Sequence, residues 1–239
     1  MRRLKREPAA DLVATELRTA ILIGKLSPGH RIKTDELATQ LGVSRMPVRQ
    51  ALSILEREGL VKTGRWRGTV VTPLDAELIR NIYDLRGILE RAVAAGVAQT
   101  SFDSSPVRAI IAAGRQVASS EDSTRSLELD LSFHTALYDA YDNPVLSDVM
   151  VGLWGHVRRV MHAAVSSAGY RSDSWDQHEA IVDAIDARDP ERAASVAGAH
   201  IASASRAALG NLDTLNQGGP RPVDKELAFA PVPSAAVSG

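Results

Sequence analysis

Residues 41–60 read LGVSRMPVRQALSILEREGL, and this stretch decides the fold of the first third of the chain. Gly42 is typical of the residue that ends a helix, and Ser44 is typical of the residue that precedes one. Pro47 falls in the first turn of the new helix, where a missing N–H costs little. The apolar residues that follow keep helical spacing, at Val48, Ala51, Leu52 and Leu55. The pattern therefore predicts two helices joined by a tight glycine turn.

The sequence on either side of this stretch completes a winged helix-turn-helix. An amphipathic helix is predicted over 8–24, and Thr34 is predicted to be the N-cap of the helix before the turn. After the third helix, two β-prone segments at 60–63 and 69–72 enclose a basic, glycine-flanked tip at 64–68. In such an arrangement, the helix that follows the turn enters the major groove of DNA.

The third helix and the hairpin carry side chains that suit DNA recognition. Arg45 and Arg49 are four residues apart and project from one helix face. Arginine can read guanine through paired hydrogen bonds, and a serine at a helix N-terminus suits phosphate. The predicted DNA contacts are Thr34, Ser44, Arg45, Pro47, Arg49 and Gln50 in the helices, with Arg65 and Arg67 in the hairpin. A lone arginine is more often a solvated surface charge, but here two elements converge on one basic face.

The charge distribution and composition favour a polyanion-binding protein and exclude several other classes of site and partner. Residues 1–73 hold 14 of the 28 Lys and Arg but only 7 of the 29 Asp and Glu, so this part has a net charge of +7 within a chain of net charge −1. Such asymmetry is typical of a polyanion-binding module joined to something else. The chain has no cysteine, which excludes thiolate metal sites and fits a reducing cytoplasm. No apolar run reaches the roughly 18–20 residues that span a bilayer, so no membrane partner is predicted.

This region resembles the DNA-binding domain of the GntR family over nearly all of residues 10–73. The matching segments are ILIGKLSPG at 21–29, LA at 37–38, LGVSR at 41–45, PVR at 47–49, AL at 51–52, LE at 55–56, EGLV at 58–61 and RGT at 67–69. The resemblance implies that Arg45 and Arg49 contact operator DNA, and that Gly68 lets the wing backbone approach the minor groove. Some relatives carry an arginine at the start of the second helix, where this chain has Asp35, so no DNA role is carried over to that residue.

Beyond Asp75 the sequence predicts helices and no strand. The helices are expected at about 76–100, 104–118, 123–141, 143–166, 173–187 and 189–209. Proline, glycine and serine are frequent in 211–239, which is typical of a disordered tail. The predicted fold is therefore mainly α, with a winged helix-turn-helix at 1–73 and an all-α bundle of six to seven helices at 74–210.

Four polar residues lie on the inward faces of three of these helices. Asp130 and His134 are four residues apart on one face, a spacing that can bind one metal ion. His178 and His200 are equidistant from the turn near Asp189, so an antiparallel hairpin brings them to the same height. An aspartate with three histidines suits zinc, nickel, manganese or iron, and zinc is our first choice. The competing interpretation is a hydrogen-bonded polar core, because leaving such groups buried and unpaired costs about 1–3 kcal/mol each.

The C-terminal half resembles the FadR-type C-terminal domain (FCD), the all-helical effector domain of one large GntR subfamily, over about residues 75–210. The matching segments are DLSFH at 130–134, NP at 143–144, HEAI at 178–181 and AHI at 199–201. The resemblance implies that the metal ligands are Asp130, His134, His178 and His200. It also implies a homodimer whose bound metal helps to hold a small carboxylate effector.

Arg86 is the main candidate for contact with that effector. It lies at the edge of an apolar stripe, and a fork-shaped guanidinium near a metal suits a carboxylate. A snorkelling surface arginine, or an ion pair with Glu90 four residues later, are the alternatives. Asn143 and His156 are further candidates for effector binding.

These features predict an effector-responsive transcription regulator, most simply a repressor, and not an enzyme. Two alternatives use the same residues: a metal-dependent hydrolase or lyase fused to a DNA-binding head, and a metal that is purely structural. A catalytic metal needs a well-placed general acid or base. The nearest carboxylate is Glu179, which at helical spacing points about 100° away from His178.

Overall fold

The computed structural model describes most of the chain, in the ranges 9–64, 68–118, 122–168 and 173–212, without the side chains of 123 and 162–168. The described residues divide into two compact units between Pro73 and Leu74. Each unit has an apolar core of its own.

The first unit consists of three helices and a small sheet. Its elements are α1 (Ala9–Leu22), β1 (Arg31–Ile32), α2 (Thr34–Leu41), α3 (Arg45–Arg57), β2 (Val61–Gly64) and β3 (Gly68–Val71). Strand β3 lies between β1 and β2 and is antiparallel to both, with Val61 opposite Val71 and Ile32 opposite Thr69. The unit has the winged helix-turn-helix arrangement that the sequence predicts.

Two local predictions for this unit are wrong. The hairpin gains a third strand, β1, which two residues are too short to reveal by alternation of apolar and polar side chains. The N-cap of α2 is Lys33, and Thr34 is already the first residue of the helix. Gly42 does end α2 as predicted, in the left-handed conformation at φ 66° that glycine adopts without strain.

The second unit is entirely helical within its described residues. Its helices are α4 (Ala76–Val97), α5 (Ser105–Ala118), α6 (Ser123–Tyr141), α7 (Pro144–Ala168), α8 (Asp173–Asp186) and α9 (Pro190–Gly210). Asp75, Asp122 and Asp189 cap α4, α6 and α9, because each side chain accepts a hydrogen bond from the N–H three residues later. All six predicted helices are present, and their ends differ from prediction by three residues or fewer.

Helix α4 lies at the centre of this unit. It packs along α9 and also contacts α6, α7 and α8. Glycine permits close approach elsewhere, because a Cβ on Gly114 of α5 would lie 2.2 Å from the ring of Trp175 in α8. The inner faces of α4, α6, α8 and α9 therefore surround one buried region.

The predicted tail at 211–239 lies largely outside the described residues, which end at Leu212. Leu212 itself is buried against the second core, so packing continues slightly beyond the predicted boundary at 210. No described helix is long and apolar enough to cross a membrane.

Candidate functional site

The exposed start of α3 forms one part of a candidate DNA-binding surface. Ser44 is the N-cap residue, but its side chain makes no capping hydrogen bond. Arg45, Arg49 and Gln50 are exposed, and Pro47 is half-buried. The first backbone N–H groups of a helix have no intrahelical partner. This end of α3 can therefore bind a phosphate, because its N–H groups can donate to the phosphate oxygens.

Asp35 holds one of the two recognition arginines. Its Oδ1 lies 2.8 Å from Nε of Arg45, with the two side chains 64% and 72% exposed. Spacing rules missed this pair because the residues lie on different helices. Arg49 forms no ion pair with any residue that the structure describes, so its guanidinium is available to a ligand.

An open groove of about 710 Å³ continues this surface between α2, α3 and the sheet. Thr34 and Arg49 line it, together with Arg31 of β1, which the sequence analysis missed along with the strand itself. The guanidinium of Arg31 lies 3.6 Å from the place that a Cβ on Gly68 would occupy. Gly68 has φ +68°, so a larger residue there would be strained. The predicted contacts Arg65 and Arg67 lie outside the described residues.

Three imidazoles converge in the second unit. His134 of α6, His178 of α8 and His200 of α9 offer ring nitrogens that all lie within 4.8 Å of one another, and all three residues are buried. Nε2 of His178 lies 3.2 Å from Nε2 of His200. Asp130, one helical turn before His134, is also buried, and its Oδ1 lies 3.5 Å from Nε2 of His178. The structure thus brings together all four side chains that were predicted from the sequence to be metal ligands.

Arg86 lies directly beside this cluster and is only 1% exposed, so it is not a snorkelling surface residue. Its Nη2 lies 2.7 Å from Nε2 of His134, and its Nε donates to Oε1 of Glu90. The guanidinium also lies 4.6 Å from the ring centre of Trp154, a favourable cation–π contact. The ion pair with Glu90 is present, but in the core rather than on the surface.

Glu90 links Arg86 to a wider buried network. Its Oε1 accepts a hydrogen bond from the hydroxyl of Tyr138 at 2.9 Å, and that hydroxyl accepts one from Nε1 of Trp154 at 3.2 Å. Its other oxygen, Oε2, lies 2.8 Å from Nδ1 of His134. Helical spacing does not reveal this extension, because Tyr138 and Trp154 reach Glu90 from two other helices.

The charges of the network explain the direction of its pKa shifts. Burial alone would raise the pKa of Glu90, but the opposite charges of Arg86 and His134 outweigh burial and lower it. Burial lowers the pKa of His178 well below its ordinary value, and the positive charges of His200 and His134 add to the effect. His178 is therefore a neutral imidazole, the form that binds a metal ion.

The geometry of the cluster fits a divalent metal ion. Two imidazole nitrogens on a tetrahedral ion with bonds of 2.0–2.1 Å lie about 3.3 Å apart, close to the spacing of His178 and His200. Nδ1 of His200 lies 3.0 Å from Oε1 of Gln177, which leaves its Nε2 with a lone pair directed at His178. Nδ1 of His178 is buried and has no hydrogen-bond partner among the described residues. His134 differs, because Arg86 and Glu90 already contact its two nitrogens.

Asn143 and His156 are the other two candidates for effector binding. Asn143 is exposed and caps α7, where its Oδ1 accepts hydrogen bonds from the backbone N–H groups of Val145 and Leu146. It lies nine residues beyond His134, past the end of α6 at Tyr141. His156 is half-buried and follows Trp154 by two residues, so it projects from a different face of α7.

Glu179, the only general base that the sequence suggested, is engaged elsewhere. Its carboxylate pairs with Arg115 and with Arg108 of α5 on the surface of the unit. Among the described residues, this carboxylate therefore provides no base at the cluster, and the predicted direction of its side chain is confirmed.

Two family models match the chain. The model "Bacterial regulatory proteins, gntR family" matches residues 9–71, and the model "FCD domain" matches residues 81–203. An HTH-type transcriptional regulator of Mycobacterium tuberculosis is 29% identical over 77% of this chain and 74% of its own length. The galactonate operon transcriptional repressor of Escherichia coli is 25% identical over 82% of this chain and 95% of its own.

A solved structure shares the same architecture. A GntR-type transcriptional regulator from Rhodococcus sp. RHA1 superposes with a TM-score of 0.72 at 28% identity, covering 84% of this chain and 97% of that one. These relatives are transcriptional regulators and not enzymes, in agreement with the sequence analysis. The chain belongs to the GntR family of bacterial regulatory proteins and carries a C-terminal FCD domain.

Proposed function

We propose that the chain is a cytoplasmic, homodimeric repressor of the FadR subfamily whose affinity for operator DNA depends on a small carboxylate. The carboxylate binds beside a divalent metal ion in the helical unit. The observation that carries this proposal is the convergence of three buried imidazoles and Asp130 next to the buried guanidinium of Arg86.

The first unit supplies the DNA contacts in this proposal. Arg49 and Gln50 of α3 read base edges in the major groove, while Ser44 and Thr34 bind the backbone. Gly68 and the basic wing tip around Arg67 reach the adjacent groove. The net charge of +7 over residues 1–73 supports this assignment, because neutralising phosphates supplies much of the affinity for DNA.

The second unit supplies the metal and effector site. Asp130, His134, His178 and His200 would hold the ion, with zinc as first choice and nickel, manganese or iron as alternatives. The metal, when bound, acts as a Lewis acid that attracts one oxygen of a carboxylate. Arg86 offers the paired N–H groups that match the same carboxylate. The E. coli relative is named for the operon of galactonate, which is a sugar acid.

Helix α4 is the element through which the effector acts. It is the first helix after the DNA-binding unit, and it carries both Arg86 and Glu90. A carboxylate that draws Arg86 away from His134 favours one arrangement of α4 over another. A ligand that binds one state more tightly shifts the population towards it and so changes the affinity for operator.

Metal analysis tests the site. Wild-type protein purified without chelator should contain about one ion per chain, and His200→Ala should lose it. His156→Ala is the matched control, because it removes a histidine of the same unit outside the cluster, and its metal content should stay at the wild-type level. A wild-type protein without stoichiometric metal would reduce the cluster to a polar core.

A thermal-shift series then tests the effector. Small mono-, di- and tricarboxylates are added with and without the metal that the analysis identifies. A ligand at 100 times its Kd stabilises the protein by about 2.7 kcal/mol. We expect stabilisation only with metal, and a weaker effect in Arg86→Lys, which keeps the charge but loses the fork. If metal is present and no carboxylate changes either melting or binding to a DNA duplex selected from a random pool, the metal is structural.

A further inference from the structure

The ring nitrogen that His134 has available for a metal ion is engaged by Arg86. Nη2 of Arg86 lies 2.7 Å from Nε2 of His134, deep in the core, where the two residues are 1% and 0% exposed. A guanidinium only donates hydrogen bonds, so Nε2 accepts this one with its lone pair. A metal ion needs the same lone pair, because an imidazole nitrogen binds metal in its unprotonated form.

Glu90 prevents His134 from using its other ring nitrogen instead. Oε2 of Glu90 lies 2.8 Å from Nδ1 of His134, and a carboxylate only accepts hydrogen bonds. The proton of the neutral ring therefore belongs on Nδ1, and the lone pair belongs on Nε2. One lone pair can serve Arg86 or a metal ion, but it cannot serve both at once.

Other contacts hold Arg86 beside the cluster independently of His134. Its Nε donates to Oε1 of Glu90, and its guanidinium lies 4.6 Å from the ring centre of Trp154. Neither contact uses Nη2, the atom that faces His134. The positive charge of Arg86 therefore stays beside the cluster, where it repels a second cation in a pocket that excludes water. A carboxylate bound to Arg86 would offset this repulsion.

We propose that Arg86 is a built-in competitor of the metal ion, because it occupies the lone pair that His134 would offer to that ion. This rests on the metal site of the proposed function and deepens it, since one residue then restrains metal binding and captures the carboxylate. When His134 binds the ion, Nη2 of Arg86 becomes available to a carboxylate. A carboxylate that holds Arg86 likewise makes His134 available to the ion. The two ligands therefore strengthen each other's binding.

Zinc titration of an arginine variant tests the competition. The full chain is dialysed against a chelator, and its zinc affinity is then measured by competition with a chromophoric chelator. Arg86→Lys keeps a positive charge beside Glu90, but its side chain ends one bond short of Nη2 and leaves Nε2 of His134 to the metal. We expect this variant to bind zinc roughly tenfold or more tightly than wild type, because a hydrogen bond from a charged donor no longer opposes the ion.

Arg80→Lys is the matched control for Arg86→Lys. It makes the same substitution at an exposed arginine of the same helix, and it should keep the wild-type zinc affinity. Circular dichroism checks that both variants are folded. A merely structural role for Arg86 predicts the opposite result, because loosening a buried network weakens a metal site that depends on it.

A second substitution separates the hydrogen bond from the charge. Arg86→Met removes both the donor and the positive charge, so it should also bind zinc more tightly than wild type. If Arg86→Met tightens binding and folded Arg86→Lys does not, the charge alone opposes the ion and the competition for the lone pair is wrong.

Wild-type protein offers a test that needs no substitution. NMR of protein labelled with ¹⁵N-histidine distinguishes protonated from unprotonated ring nitrogens. We expect His134 to carry its proton on Nδ1 both without and with zinc, and only its Nε2 signal to shift strongly. In protein labelled with ¹⁵N-arginine, the guanidinium signals of Arg86 should change when zinc is added. Signals of Arg86 that stay unchanged in zinc-loaded protein would show that it does not release His134.

The outcomes separate this inference from the proposed function. If wild type and both Arg86 variants bind neither zinc nor nickel, the metal site of the proposed function is wrong and the competition is wrong with it. If wild type binds zinc and folded Arg86→Lys binds it equally or more weakly, the metal site stands and Arg86 is not a competitor.

Discussion

At the scale of single residues, Arg49 is the side chain whose loss should most weaken specific DNA binding. It is exposed near the start of α3 and pairs with no carboxylate among the described residues. Losing one paired contact to a base costs about 1–3 kcal/mol. We expect Arg49→Ala to lower affinity for a selected duplex roughly 10- to 100-fold by fluorescence anisotropy. Arg57→Ala, at the other end of α3, is the control, and equal losses for both variants would refute the assignment.

Asp35 should act in the opposite direction. Its carboxylate attracts Arg45 and repels phosphate, so removing the charge should strengthen binding to DNA of any sequence. An exposed ion pair is worth up to about 1 kcal/mol, so we expect a gain of roughly fivefold for Asp35→Asn. Titration with a random-sequence duplex measures it, and Glu16→Gln on α1 gives the same charge change away from α3. Affinity that stays at the wild-type value would show that the pair does not compete with DNA.

The positions of the three histidines, but not that of Arg86, could be predicted from residue spacing in the sequence. Helical periodicity placed His134, His178 and His200 on inward faces, and counting residues from the turn at Asp189 correctly set two of them at one height. The same reasoning does not give the position of Arg86. Arg86 lies at the edge of the apolar stripe of α4, and it is buried because α6 and α7 pack over that edge. This contact depends on how the helices pack together, and no single helix contains the information.

At the scale of elements, α5 packs against α8 through a position that only glycine can occupy. A Cβ on Gly114 would meet the ring of Trp175 at 2.2 Å, and Trp175 is fully buried. Overpacking of this kind costs about 1–3 kcal/mol. We therefore expect Gly114→Ala to lower the free energy of unfolding in urea, although alanine favours helices.

Gly152→Ala on α7 is the matched comparison for Gly114→Ala. Nothing lies within 4 Å of a Cβ at Gly152, so only helix propensity acts there. We expect this variant to raise stability by up to about 1 kcal/mol. If both substitutions stabilise the protein equally, the close contact between α5 and Trp175 is absent in solution.

The long elements were predicted correctly from the sequence, whereas the shortest strand was missed. The six helices of the second unit show several turns of apolar spacing, and caps such as Asp189 with Pro190 mark their starts. Strand β1 has two residues, and its existence depends on pairing with Val70 and Thr69 far along the chain. Neither propensity nor periodicity contains that information.

At the scale of the whole molecule, two separate cores predict two thermal transitions. Residues before Pro73 and after Leu74 bury their apolar side chains in different clusters, and each cluster can melt cooperatively by itself. Calorimetry should resolve two peaks. A ligand stabilises the unit that binds it, so added metal should raise one melting temperature and a DNA duplex the other. One peak that both ligands shift together would show that the units unfold as one.

The indole rings beside the histidine cluster give the protein its own optical reporter. Trp154 lies over the guanidinium of Arg86, and the ring of Trp175 lies 5.0 Å from that of His178. Indole emission depends on the charges and polarity around the ring. Loading of the cluster, or displacement of Arg86, should therefore change intrinsic fluorescence in a protein that carries no label. Occupancy of the sensor can then be followed in real time, in the same cuvette in which binding to DNA is measured.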